Sequence, residues 1–183
     1  NPPVTPFLQV KLDNEIINYL WKIIDIAKTN NKNYKSELVG NISCSLSLED
    51  LNSFFYKTVC VSLVKYYREN NPIVIGGDPV SQNTILSPKT KLILDQFWVN
   101  YQYKTEFNPF HDHAGVYSFA IWMKTPYSWD EQKKLPQFRD MNSHNVRAGC
   151  FEFEYNDSLG FIQNYKYRLS PQYDGYMVFF PAK

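Results

Sequence analysis

The spacing of apolar residues predicts two helices in the first third of the chain. Between residues 14 and 28, apolar side chains recur every three or four positions with polar ones opposite, and Asp13 is a suitable N-cap. A second stripe of the same spacing predicts a helix over residues 48–69, opened by a capping box between Ser47 and Asp50. The polar residues between the two stripes predict a loop.

From residue 72 onward, β-branched and aromatic runs alternate with turn residues, which indicates strands. We predict strands over residues 92–104, 116–124, 147–156, 161–169 and 175–182, and a long polar loop over residues 125–145. Shorter extended pieces are expected at 4–11 and 39–43. Helices followed by antiparallel strands predict an α+β architecture in one domain, residues 1–183, with a helical part over 1–71 and a β-sandwich or barrel core over 72–183.

Composition and charge exclude several classes of function. The 19 basic and 18 acidic residues give a net charge of +1, and the basic residues are scattered, so no nucleic-acid-binding surface is predicted. No apolar run reaches the ~20 residues that a membrane span needs, and no glycine-rich phosphate loop occurs. Three widely separated cysteines, Cys44, Cys60 and Cys150, are typical of reduced thiols in a cytoplasmic protein.

Two of the three histidines stand one residue apart, just before an apolar run. On an extended strand, residues i and i+2 project to the same face, so His111 and His113 would point into one cavity with Asp112 turned away. Two such imidazoles can bind one first-row metal ion at the usual distance of about 2.0–2.2 Å. A pair of surface histidines near a turn has the same spacing, and both readings stay open. His144 lies in a polar stretch and is predicted to be a solvated loop histidine rather than a third ligand.

Several short motifs follow one another in a fixed order along the chain. They are the segment 38–43, Trp98 with Asn100, and the segments 108–113, 118–122, 149–153 and 175–182. In this order they resemble the Fe(II)/2-oxoglutarate-dependent dioxygenases, and most of all the group of these oxygenases found in marine phages and proteobacteria. The resemblance implies a double-stranded β-helix fold, jelly-roll or cupin-like, with the two N-terminal helices packed on the sheet.

The same resemblance implies a set of ligands and cofactors. His111 and His113 would hold Fe(II) together with a distal histidine, 2-oxoglutarate would bind the iron through two oxygens, and O2 would take the last position. Tyr103 and Lys124 are the candidates for the 2-oxoglutarate carboxylate, with Arg168 a weaker one. Each of these three is more often a surface or packing residue. The implied activity is a hydroxylase of unknown substrate, with residues 126–145 as a lid.

The chain departs from this pattern in two places. His113 stands where most of the superfamily has Asp or Glu, and Asp112 would replace it as a ligand only if the strand were bulged. The chain also ends before the family's distal histidine and its arginine, so we expect a truncated C-terminus. Two alternatives are a non-catalytic jelly-roll binding or structural module, and a cupin-like protein, which would want a Glu where Val116 and Tyr117 stand. A homodimer is left open.

Overall fold

The chain folds as an α+β protein, as its sequence predicts. The computed structural model describes residues 7–70, 90–141, 146–157 and 159–182. In that part the helices are α1 (Asn14–Thr29), α2 (Val61–Asn70) and α3 (Trp129–Gln132). The strands are β1 (Leu8–Lys11), β2 (Cys44–Ser47), β3 (Trp98–Tyr101), β4 (Tyr117–Ile121), β5 (Cys150–Asn156), β6 (Ile162–Arg168) and β7 (Tyr176–Pro181).

The described strands form three sheets and do not close into a barrel. One sheet has the order β1-β7-β4, and the other two are the pairs β2-β3 and β5-β6. Both of these pairs are antiparallel. The strands predicted from alternating aromatic and β-branched residues are confirmed for β4, β5, β6 and β7, whereas the predicted strand 92–104 is regular only over β3.

The first helix confirms its sequence pattern almost to the residue. The Asp13 side chain accepts a hydrogen bond of 2.9 Å from the N–H of Ile16, which satisfies one of the free donors at the start of α1. The helix ends at Thr29, one residue beyond the prediction. Its apolar stripe is buried, and consists of Ile16, Leu20, Ile23, Ile24 and Ala27. Burial of this stripe, rather than intrinsic helix propensity, stabilises the helix.

The second helix begins differently from its prediction, and the capping box at Ser47 is wrong. Ser47 ends β2 and pairs with Trp98, so its backbone cannot start a helix. Asp50 caps the later turn instead, because its two carboxylate oxygens accept 2.9 Å hydrogen bonds from the N–H groups of Phe55 and Tyr56. A π-helical turn over Tyr56–Cys60 then leads into α2.

Two further segments differ from their predictions, one through a contact with a distant residue and the other through a local capping box. The extended piece expected at 39–43 is reduced to one bridge between Asn41 and Phe107, and β2 forms just after it. The polar stretch 125–145, predicted as a loop, contains α3, which begins with a capping box between Ser128 and Glu131.

The chain divides into two compact units, one of residues 1–120 and 178–183 and the other of residues 121–177. In the first unit α2 packs on the three-stranded sheet, because the ring of Tyr67 contacts both Tyr117 and Phe179 at 5.4 and 6.1 Å between centroids. In the second unit an aromatic cluster forms around Trp122 and Tyr167, whose centroids lie 5.0 Å apart. Prediction of a single domain is not tested by this division.

No helix in the described ranges is both long and apolar enough to cross a membrane.

Substitution of Asp50 tests how much its carboxylate stabilises this fold. It also accepts a 2.6 Å hydrogen bond from the hydroxyl of Tyr19, and burial together with this carboxylate raises the pKa of Tyr19. Asp50→Ala leaves two backbone donors without their acceptor and removes the shorter of the two hydrogen bonds of the Tyr19 hydroxyl, so we expect the free energy of unfolding to fall by about 2–4 kcal/mol. Tyr19→Phe, which removes only one of these bonds, should cost about 1 kcal/mol. Urea denaturation measures both, and equal losses in the two variants would contradict this role.

Candidate functional site

The two neighbouring histidines lie in an irregular segment that precedes a strand. β4 begins at Tyr117, so the expected extended strand does not carry His111 and His113. Their rings are nevertheless side by side, with 4.8 Å between centroids and 37° between the ring planes. The structure therefore places the two predicted histidine rings side by side. The cause is not the alternation of side chains along a strand, because the two residues do not lie on a strand.

A bulge separates this segment from β4. Ala182, which follows β7, accepts a 3.2 Å hydrogen bond from the N–H of His113 and donates one of 3.1 Å to the carbonyl of Val116. Ala182 thus lies opposite four residues, 113–116, which is a bulge. Ala114 and Gly115, between the two bonded positions, are exposed. Gly115 has φ +96°, a conformation that favours glycine. The bulge lies after His113, and it ties the backbone of His113 to the end of β7.

The ring of His111 is held by a bond to its own loop. Its Nδ1 lies 2.7 Å from the carbonyl oxygen of Pro109. A carbonyl oxygen can only accept, so Nδ1 carries the hydrogen and Nε2 keeps its lone pair. Metal-binding histidines are commonly oriented in this way by a carbonyl or carboxylate on the other ring nitrogen. The exposed side chain of His111 therefore presents a nitrogen suited to a metal ion.

The ring of His113 is half-buried and sits against β7. It meets the ring of Phe180 at 5.5 Å between centroids and 88° between planes, an edge-to-face contact. Burial lowers the pKa of His113, the neighbouring His111 lowers it further, and the carboxylate of Asp112 opposes the shift. A lowered pKa favours the neutral imidazole, which is the form that binds a metal.

None of the contacts described for the other predicted residues joins them to the pair. Tyr103 has a side chain that is 60% exposed, and its backbone N–H bonds to the carboxylate of Glu106. Lys124 is exposed and belongs to the second unit, as does Arg168, whose guanidinium lies 4.3 Å from the ring of Trp129. His144 lies outside the described residues.

Glu106 and Asn108, just before the histidine pair, make contacts that the sequence did not reveal. Glu106 accepts hydrogen bonds of 2.9 and 2.8 Å from the N–H groups of Ser43 and Tyr103, and hydrogen bonding with the Ser43 side chain is the main reason why its pKa is lowered. Two residues on, Asn108 lies so close to Gly40 that a Cβ there would be 2.7 Å from its Oδ1. The only signal in the sequence was that 38–43 and 108–113 both belong to the ordered motifs.

The two histidines are suited to be two of the ligands of one metal ion. Two imidazoles lie side by side, one with its tautomer fixed by a carbonyl and one with its neutral form favoured by burial. Within the ranges that the structure describes, no group of three His, Cys, Asp or Glu side chains could hold a metal ion. The described residues therefore offer two candidate ligands and do not complete a triad.

Comparisons of the chain with protein-family models, with curated proteins and with solved structures found no match.

The contact between Gly40 and Asn108 predicts a coupled pair of substitutions. Gly40→Ala would push the Asn108 side chain out of its place, and we expect a loss of about 1 kcal/mol in the free energy of unfolding. Asn108→Ala removes the atom that the new methyl group meets, so the double variant should recover part of that loss. A double-mutant cycle in urea measures the coupling, and strictly additive losses would contradict the contact.

The titration of His113 tests the electrostatics of the pair. His111→Gln removes a neighbouring positive charge at low pH but leaves the burial of His113 in place. The pKa of His113 should therefore rise part of the way toward its ordinary value of 6.5. Ring-proton chemical shifts followed by NMR against pH give this pKa directly. A pKa that falls or stays unchanged in the variant would show that the two rings do not interact.

Proposed function

We propose that the chain is a non-haem Fe(II)- and 2-oxoglutarate-dependent oxygenase, a hydroxylase, that holds its metal through His111 and His113. The observation that carries this proposal is the adjacency of the two rings, 4.8 Å apart, with Nδ1 of His111 bonded to the carbonyl of Pro109. The order of the motifs around the pair supports iron and 2-oxoglutarate over other metal chemistry.

We further propose that the three sheets are parts of one double-stranded β-helix. The support is the position of the histidine pair just before β4, and the antiparallel pairing of β4 with β7 at both of its ends. The packing of α2 on this sheet agrees with helices that cover a jelly roll. A single domain and a cytoplasmic location remain predictions that go with this fold.

In this proposal, the named residues of the chain have the following roles. His111 and His113 hold the iron, which together with 2-oxoglutarate and O2 supplies the oxidative chemistry when bound. Tyr103, whose side chain is 60% exposed, is proposed for the 2-oxoglutarate carboxylate, and Lys124 stays a prediction from the sequence. In the resemblance the third metal ligand is a distal histidine that follows the segment 175–182, a position distinct from His144, and the primary substrate is not specified by the pair.

A non-catalytic binding module is the second candidate. One observation favours it, which is that the described ranges supply two metal ligands rather than three. Such a module would keep the same sheets without binding iron and 2-oxoglutarate together. Metal uptake separates the two candidates, because only the oxygenase requires it.

Anaerobic titration with Fe(II) and 2-oxoglutarate tests the proposed function. The wild-type chain should bind Fe(II) and develop a charge-transfer absorption band when 2-oxoglutarate is added. His111→Ala removes one ligand and should weaken Fe(II) binding by about 100-fold or more, because losing even a residue that orients a ligand costs 10–100-fold. The band should disappear with it.

His144→Ala is the matched histidine control for this titration. The sequence predicts a solvated loop residue at this position, so the substitution should leave both Fe(II) affinity and the band unchanged, and circular dichroism should show that all variants are folded. Absence of metal uptake by the wild-type chain, or equal uptake in His111→Ala, would contradict the oxygenase and leave the binding module.

A further inference from the structure

The two histidines of the pair are held in different ways. His111 is exposed and bonded to its own loop through Pro109, whereas His113 is half-buried and its ring rests on Phe180 of β7. The backbone on the C-terminal side of His113 is the exposed bulge with Ala114 and Gly115. The rings of His111 and Phe180 both contact the His113 imidazole, at 4.8 and 5.5 Å between centroids.

Strand β7 places Phe180 on the side of the histidine pair. Successive side chains of a strand point to opposite faces, so Phe180 and Phe179 project in opposite directions. Phe179 contacts Tyr67 and Tyr117 and is 2% exposed, so its face is the one covered by α2. Two residues after Phe180, Ala182 bonds to the backbone of His113, which brings the same end of β7 against both the backbone and the ring of that histidine.

We propose that Phe180 is a positioning residue of the metal-binding pair. Its ring limits the rotation of the His113 imidazole and so holds that imidazole ready beside His111 before a metal arrives. A ligand that is already ordered loses less rotational freedom on binding, and the metal is bound more tightly for that reason. This inference rests on the proposed function, because it needs a metal at the pair, but it adds a residue that neither the spacing of the histidines nor the motif order assigned to the site.

Co(II) titration of four proteins tests the inference, with the visible spectrum of the bound ion as the readout. Phe180→Leu keeps an apolar side chain but loses the edge-to-face contact, and its Co(II) affinity should fall roughly 3- to 10-fold, the range expected for an aromatic pair. Phe180→Tyr restores the ring and should bind Co(II) as the wild type does.

Phe179→Leu is the matched control on the same strand. It removes a more deeply buried ring from the opposite face, so it should lower thermal stability more than Phe180→Leu does while leaving Co(II) affinity and the Co(II) spectrum unchanged. A purely structural role of Phe180 would give the reverse result, in which affinity follows stability across all the variants.

The outcomes separate the inference from the function on which it rests. No Co(II) uptake by the wild-type chain would overturn the metal site and the inference together. Uptake by the wild type with equal affinity in Phe180→Leu would overturn the inference alone. If Phe180→Leu does not fold, nuclear Overhauser effects between the His113 and Phe180 ring protons of the metal-free wild type decide instead. Their presence, with unchanged intensity when diamagnetic Zn(II) is added, supports the inference, and their absence overturns it.

Discussion

The antiparallel pairing of β4 with β7 is the interaction on which the rest of the site depends. Its hydrogen bonds run from Ala182 with Val116 at one end to Tyr176 with Trp122 at the other. β7 is the middle strand of its sheet, between β1 and β4. The histidine segment has little burial of its own, and it is held in place chiefly because its last residues are bonded to this strand.

The anchor is strong because β7 is buried where the histidine segment is not. Met177, Val178 and Phe179 are almost fully buried, and each such side chain contributes about 1.5–3 kcal/mol through removal of apolar surface from water. The histidine segment, in contrast, is mostly exposed. An exposed segment bonded to a buried strand combines access to solvent with a defined position for one ring.

Elements whose structure follows from their own sequence pattern could be predicted, whereas features that depend on pairing with distant residues could not. The helical period foretold α1, and alternating aromatic residues foretold β4 to β7, because those patterns reflect burial of one face. β2 was missed because its run of Cys44–Ser47 is short and half polar, and it becomes a strand only by pairing with β3, where the hydroxyl of Ser45 bonds to Asn100 at 2.7 Å. The adjacency of the two histidines was foreseen, but not the bulge or Phe180, since both depend on a strand distant in sequence.

The central claim is that the end of β7 holds the histidine segment, and amide hydrogen exchange of the apo protein tests it most directly. The amides of His113 and Ala182 should exchange about 100-fold or more slowly than those of the exposed bulge residues Ala114 and Gly115, because both are bonded across the bulge. Exchange of the His113 amide at the rate of those exposed residues would show that β7 does not hold the segment, and the account of the site would fail with it.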